Sequence, residues 1–546
     1  MTAFPRALFR RALFRRALFR RSLLPRVAGA IAIAAVALIG LPAAASAGGY
    51  VTINGSGSSW SAVAIDQWTQ DVQSNGITVN YSPDGSAAGR ADYIHGQDDF
   101  AASDPPFRNG SDKLAGTGTE VSPYGYSYVP DTAGGTAFMY HLVVAGHLVT
   151  NLRLSGETIM KIFTGQITNW DDSEITHDYG AQLPNVPITP VVRSDGSGAT
   201  YFFTRWMAHM FPNQWNAFCE KVTTGRVKPP CGQTEFYPTS NWGNVKAENG
   251  SNNVATYITS SYANGAIGYD EYAYALNSHY PVVKMLNPAG YYVLPTASNV
   301  AVALTQAQIN EDPSSINFLQ QNLDSVYTYT DPRSYPLSSY SYLIVPRSGT
   351  KQPPNFSTGK GATLSTFINF LLCSGQQQMA ALGYSPLPLN LVKGGLLQVD
   401  SIPGHVPTPN PVTLAGCDNP TFTDGQLTLL KDAPQPSPCD KVGEPLDCVV
   451  VDGHATKPGA AGSKPGKAAG STPGTGGSAS PGAVSPSTAA SGSAAVPVTG
   501  QVVNVADTGA NRPLLSVLTA VAIVIAIATP PALGLWLRRR RGRAPG

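Results

Sequence analysis

Arg193-Ser194-Asp195-Gly196-Ser197-Gly198-Ala199-Thr200 puts one cation and one carboxylate into a loop of glycines and hydroxyls. Ile188–Val192 before it reads as a strand, and Thr200–Ala208 after it as a helix. A helix amino terminus offers unpaired N–H groups and the positive end of its dipole. Glycine admits an oxyanion to the backbone and serine adds donors, which are the parts of a tetrahedral-anion site. Taken alone, the loop is equally readable as an Arg–Asp surface pair over a helix cap.

Three more segments share the pattern of small residues and hydroxyls ahead of an expected helix. They are Asn54-Gly55-Ser56-Gly57-Ser58-Ser59-Trp60, Asp84-Gly85-Ser86-Ala87-Ala88-Gly89 and Ala102-Ser103-Asp104-Pro105-Pro106. Singly, such loops are as readily simple turns. Around them, β-rich runs (Thr78–Tyr81, Ala137–Val144, Ala266–Tyr269, Val300–Leu304, Tyr342–Val345) alternate with helical candidates (Ser59–Gln73, Gly156–Thr164, Thr363–Ala381). This alternation predicts an α/β architecture. The folded part, Gly48 to about Val399, is too long for one core, so two lobes are expected.

The order and spacing of these motifs resemble the phosphate-specific substrate-binding proteins of ABC transporters. Further matches are Asn264-Gly265-Ala266-Ile267-Gly268-Tyr269 with Glu271-Tyr272-Ala273-Tyr274-Ala275, and Phe163-Thr164-Gly165 with Ile167-Thr168-Asn169-Trp170-Asp171. The resemblance runs from about Thr52 to about Leu389. It implies a two-lobed, type II periplasmic-binding-protein-like fold with a double crossover and inorganic phosphate in the central cleft. Lobe I would hold 48–135 and 290–400, and lobe II 136–289.

Carried over by position, the resemblance implies hydroxyl and backbone donors from Ser59 and a backbone N–H from Trp60, where the family usually has Phe. Ser86 would add a hydroxyl, and Arg193 charge-assisted bonds in an orientation fixed by Asp195. Ser197, Gly198 and Ala199 would donate at the helix start. Ala199 stands where the family usually has Thr, so a hydroxyl is lost, lowering affinity unless Thr200 compensates.

Asp104 is the expected discriminator. Phosphate near neutral pH carries a proton to donate to a carboxylate, whereas sulfate would leave that acceptor unpaired and repelled. The bland reading of Asp104 is a helix cap before Pro105-Pro106.

The ends read differently from the middle. Eight arginines, the apolar run Val27–Leu41 and Ala45-Ser46-Ala47 form an export signal over 1–47, for Sec or twin-arginine export. Residues 455–513 are a flexible Ala/Gly/Ser/Pro linker, and the coil over 455–500 spans on the order of 35–40 Å. The apolar run 514–537 is long enough to span a bilayer, and the basic residues of 538–546 would stay cytoplasmic. Val496-Pro497-Val498-Thr499-Gly500 and Val505-Ala506-Asp507-Thr508-Gly509 leave a sortase signal, hence cell-wall attachment, as the alternative.

Eight of the 36 basic residues fall in the leader and five in the tail, so the exported part, with all 34 acids, is near −11. That balance argues against a nucleic-acid partner. Cys219, Cys231, Cys373, Cys417, Cys439 and Cys448 all lie in the exported part, where disulfides form, and no spacing among them suggests a metal site. Six cysteines allow 15 pairings; local spacing favours Cys219–Cys231 and Cys439–Cys448, leaving Cys373–Cys417. The last two bonds involve a cysteine-bearing extension over 401–454.

The reading is therefore a monomeric, cofactor-free surface receptor that passes phosphate to transporter permease subunits. Three rivals remain: a receptor for another oxyanion, a surface adhesin or sensor on the same fold, and a secreted hydrolase using a serine in Gly55–Ser61. The hydrolase lacks a Gly-x-Ser-x-Gly elbow and a recognisable histidine partner.

Overall fold

Glycine-rich turns after short strands send the chain back along one sheet by way of helices. In the computed structural model, which describes residues 49–116, 118–422 and 428–457, the first lobe opens as a βαβαβ run. Its elements are β1 (Ile53–Gly57), α1 (Ala62–Gln73), β2 (Val79–Ser82), α2 (Ser86–His95) and β3 (Phe100–Ser103), with β1 parallel to both β2 and β3. In α1, Ile65, Trp68 and Val72 recur at helical spacing and are buried, while the Trp68 indole donates to the Gly375 carbonyl at 2.8 Å.

Strand β4 (Tyr126–His141) then crosses both lobes. The second lobe follows as α3 (Gly156–Phe163), β5 (Thr189–Arg193), α4 (Gly198–Met210), α5 (Pro212–Val222), β6 (Lys246–Glu248), α6 (Gly250–Thr259), β7 (Ala266–Glu271) and α7 (Tyr272–Asn277). The chain returns through α8 (Ala297–Leu304) to β8 (Ser338–Pro346), α9 (Thr358–Leu372) and α10 (Leu389–Val399). The main sheet runs β2-β1-β3-β8-β4-β7-β5-β6.

β4 changes partner along its length. Tyr126–Gly135 pairs antiparallel with β8, and Thr136–His141 pairs antiparallel with β7. The crossing point is Gly134-Gly135, where side chains do not fit. A Cβ on Gly134 would stand 2.7 Å from the Trp60 ring, and one on Gly135 2.5 Å from Pro295.

Three local expectations are corrected. Val300–Leu304 is helix, not strand: the alternating valines suggest a strand, but Thr296 caps the segment by accepting from the Asn299 N–H at 3.3 Å. No helix follows Ala102–Pro106; β3 ends at Ser103, and Asp104 belongs to a loop. The helix expected over Thr363–Ala381 starts earlier, at Thr358 behind a Ser357 cap, and stops at Leu372, where Cys373 leaves helical geometry and a 3-10 turn, Ser374–Gln378, follows.

The structure pairs Cys219 with Cys231, Cys373 with Cys417 and Cys439 with Cys448. Besides Cys373–Cys417, the 401–454 extension is held by Lys284 on Asp440 at 2.6 Å and by the Val442 N–H on the Gly290 carbonyl at 2.9 Å. No helix among the described residues is long and apolar enough to cross a membrane. The export leader, the linker from 458 onward, the run 514–537 and the basic tail lie outside the described residues.

Candidate anion site

Four chain segments meet where the two lobes touch. The loops after β1 and β3 and the start of α2 come from the first lobe; the β5–α4 loop comes from the second. The Ala87 N–H donates to the Gly196 carbonyl at 3.0 Å between lobes, and the Gly85 N–H to the Gly57 carbonyl at 2.7 Å within the first. Sequence-distant glycines let these loops approach to backbone contact.

Arg193, at the end of β5, is buried, and four of its five guanidinium N–H groups are engaged. Nε donates to Asp195 Oδ1 at 2.8 Å, Nη2 to Asp195 Oδ2 and to Ser59 Oγ (2.8 Å), and Nη1 to Ser251 Oγ (3.0 Å). Burial alone would lower the Arg193 pKa, but Asp195 outweighs it and holds the guanidinium charged. Asp195 also accepts the Gly250 N–H at 2.9 Å, so its own direction is fixed.

Asp104, 2% exposed, accepts from Ser58 Oγ at 2.9 Å and from Ser86 Oγ at 3.1 Å. Burial pushes its pKa up, against the surrounding hydroxyls and Arg193. Ser197 caps α4 by accepting the Thr200 N–H, and Gly198 lies against Asp104. Every sequence-expected site residue is buried or nearly so, and the set splits into an Arg193 cluster and an Asp104 cluster, joined across the lobes by the Ser59 and Gly198 contacts.

Two details refine the expectations. The Trp60 N–H is taken by Ser58 Oγ at 3.1 Å, while its ring packs edge-on to Tyr384. The Thr200 hydroxyl is bonded to Tyr269 OH at 2.7 Å, inside the second lobe.

Sequence reasoning missed Ser58, Ser251 and a row of buried acids. Ser251 carried the same signal as the other loops, since Asn249-Gly250-Ser251 opens α6. It bonds Ser59 across the lobes at 3.0 Å. Behind the site, burial pushes Asp131 up to about 8 and Asp270 up to about 6, and raises Glu271 well above the carboxylate range. Asp131 Oδ2, Asp270 Oδ2 and Glu271 Oε1 lack hydrogen-bond partners, and nothing in their sequence context marks them for burial.

Chemically, the arrangement offers one fixed cation, several hydroxyl and backbone donors, and one buried carboxylate acceptor. It suits an oxyanion that can also donate a proton. No group of three His, Cys, Asp or Glu among the described residues has metal-holding geometry.

A family model described as a PBP superfamily domain matches residues 42–374. The phosphate-binding protein PstS of Methanocaldococcus jannaschii is 26% identical over 359 residues, which cover 64% of this chain and 86% of that protein. The phosphate-binding protein PstS of Xylella fastidiosa (strain Temecula1) is 29% identical over 347 residues, covering 63% and 83%. Among solved structures, a phosphate-binding protein from Stenotrophomonas maltophilia aligns at a TM-score of 0.46 and 16% identity, covering 68% of this chain and 99% of that one.

Proposed function

The chain belongs to the PBP superfamily, and on that premise we propose that it captures inorganic phosphate outside the membrane and delivers it to an ABC importer. The observation that carries this reading is the meeting of Arg193 and Ser59 with Asp104, Ser58 and Ser86 at one buried point between two lobes. The names of the relatives point the same way.

In this reading lobe I comprises 48–135 and 290–400, lobe II comprises 136–289, and β4 is one of the crossovers. Arg193 neutralises the anion, held in place by Asp195. Ser59, Ser86, Ser197 and the N–H groups of Trp60, Gly198 and Ala199 turn to the phosphate oxygens, exchanging their present partners for the ligand. Asp104 accepts the phosphate proton. The anion is bound and released unchanged, without catalysis, by a monomer. The segment 514–537 tethers the receptor to the membrane, and the linker keeps it near the permease subunits.

Calorimetry on the full chain in detergent, titrated with phosphate and then sulfate, tests the reading. Phosphate binds and sulfate does not; in Asp104→Asn the preference falls by on the order of a hundredfold, as expected when a charged buried acceptor is removed. Absence of phosphate binding to folded wild type would overturn the assignment.

A further inference from the structure

Four charged residues whose side chains make no bond to the anion-site residues connect the lobes through a closed ring of ion pairs. Arg90 lies on α2, Arg108 and Glu120 on the segment between β3 and β4, and Glu235 on the second-lobe segment between α5 and β6. Arg90 Nε meets Glu120 at 2.7 Å and Arg90 Nη2 meets Glu235 at 2.6 Å. Arg108 meets the same two carboxylates, each at 2.8 Å. The Arg90 side chain is 0% exposed and that of Glu235 1%. Ser103 takes a further Arg90 N–H at 2.9 Å.

Three members of the ring belong to the first lobe, and Glu235 alone comes from the second. Parting of the lobes would withdraw one carboxylate from between two arginines and leave a single glutamate to balance both. Breaking a buried pair by removing one partner is strongly unfavourable, because the charge left behind is uncompensated. The ring therefore favours contact between the lobes.

Glu235 also reaches the anion loop directly. Its carbonyl accepts the Ser197 N–H at 2.9 Å, at the residue that caps α4. Its own N–H donates to Asp112 of the first lobe at 3.2 Å. The neighbouring Thr234 is tied to Thr204 of α4 by bonds of 2.7 and 2.9 Å. Arg108 and Glu120 further line a cavity of about 340 Å³ that reaches Asp104. One residue thus carries its side chain in the ring and its backbone in the anion loop.

We propose that the Arg90–Glu120–Arg108–Glu235 ring is an inter-lobe latch, with Glu235 a positioning residue that sets anion affinity without contacting the anion. The apparent dissociation constant is the intrinsic one divided by the fraction of molecules already in the competent arrangement, so a latch that raises that fraction tightens binding. The affinity readout rests on the phosphate reading; the closure itself does not.

The test uses the full chain as wild type, Glu235→Gln, Arg108→Gln and the double variant, which leaves Arg90 and Glu120 as a balanced pair within one lobe. Phosphate affinity is measured by calorimetry, and amide hydrogen exchange across 195–200 is followed without added phosphate. The latch predicts at least tenfold weaker phosphate binding and at least tenfold faster exchange in Glu235→Gln, with the double variant non-additive in affinity. Affinity within twofold of wild type, additive variants or unchanged exchange overturns it. Should wild type bind no phosphate, the phosphate reading fails and the exchange rates alone decide the latch: acceleration in Glu235→Gln and the double variant supports it, and unchanged rates overturn it.

Discussion

Gly198 faces the carboxylate of Asp104 so closely that a Cβ on the glycine would stand 1.8 Å from Oδ2. The two residues belong to different lobes, so the contact exists only when the lobes meet. A methyl group there obstructs closure and leaves each lobe intact. Overpacking of this kind costs about 1–3 kcal/mol. Gly198→Ala is therefore expected to weaken phosphate binding roughly 5- to 150-fold, with a melting temperature near that of wild type. Calorimetry and thermal melting together check this; equal losses in both would place the glycine's role in folding instead.

Ala199 and Thr200 predict opposite outcomes. Restoring a hydroxyl with Ala199→Thr adds a donor at the start of α4, and a hydrogen bond to a charged group is worth about 1.5–3 kcal/mol. Phosphate binding should tighten by about tenfold or more. Thr200→Val removes a hydroxyl already committed to Tyr269 at 2.7 Å. It should lower stability by about 1 kcal/mol and leave affinity unchanged. Isotherms of the two variants side by side decide between the positions.

Asp131 couples stability to pH. Burial, with Asp104 nearby, pushes it up to about 8 from an ordinary value of 3.8, and its Oδ2 has no partner. The folded chain thus retains a proton that the unfolded chain releases. The contribution of this group to stability is present below pH 4 and is lost as pH rises through about 8. Asp131→Asn cannot ionise. It should gain on wild type in unfolding free energy from denaturant titration between pH 5 and pH 9, by on the order of 1–3 kcal/mol at the upper end. Parallel curves for the two proteins would rule the coupling out.

The Cys219–Cys231 bond closes a short segment, 12 residues in separation, just ahead of Thr234 and Glu235. Loop closure of that length stabilises by about 2–3 kcal/mol in the chain-entropy account. The double variant Cys219→Ala/Cys231→Ala should lose about that much in urea unfolding. Because the closed segment leads directly into Glu235, it should also weaken phosphate binding. A loss of stability with affinity untouched would separate the disulfide from the latch.

Much of the architecture was legible because local signals and tertiary demands coincide. Ser155 and Ser197 sit at helix starts and accept backbone N–H bonds there, and strands such as Thr189–Arg193 lie within one residue of their expected position. Val300–Leu304 fails as a strand because β-branched alternation carries less weight than a cap. The length of β4 was hidden for a different reason. Tyr126–Gly135 contains Pro130 and two glycines, poor strand formers, which tolerate the strand because β8 and the lobe boundary hold them.

By itself, the sequence determined the local pieces: hydroxyls, glycines and Arg193, each in a short loop whose neighbours set the local conformation. Pairwise cysteine spacing also carried through to the bonds formed. Tertiary structure alone decided how those loops face one another. Ser59 meets Arg193 across 134 residues of chain, and Arg90 meets Glu235 across 145. Such contacts leave no local mark, because a buried arginine and an exposed one have the same neighbours in sequence. What distinguishes them is the desolvation that only the folded chain imposes, and the partner that only the folded chain brings.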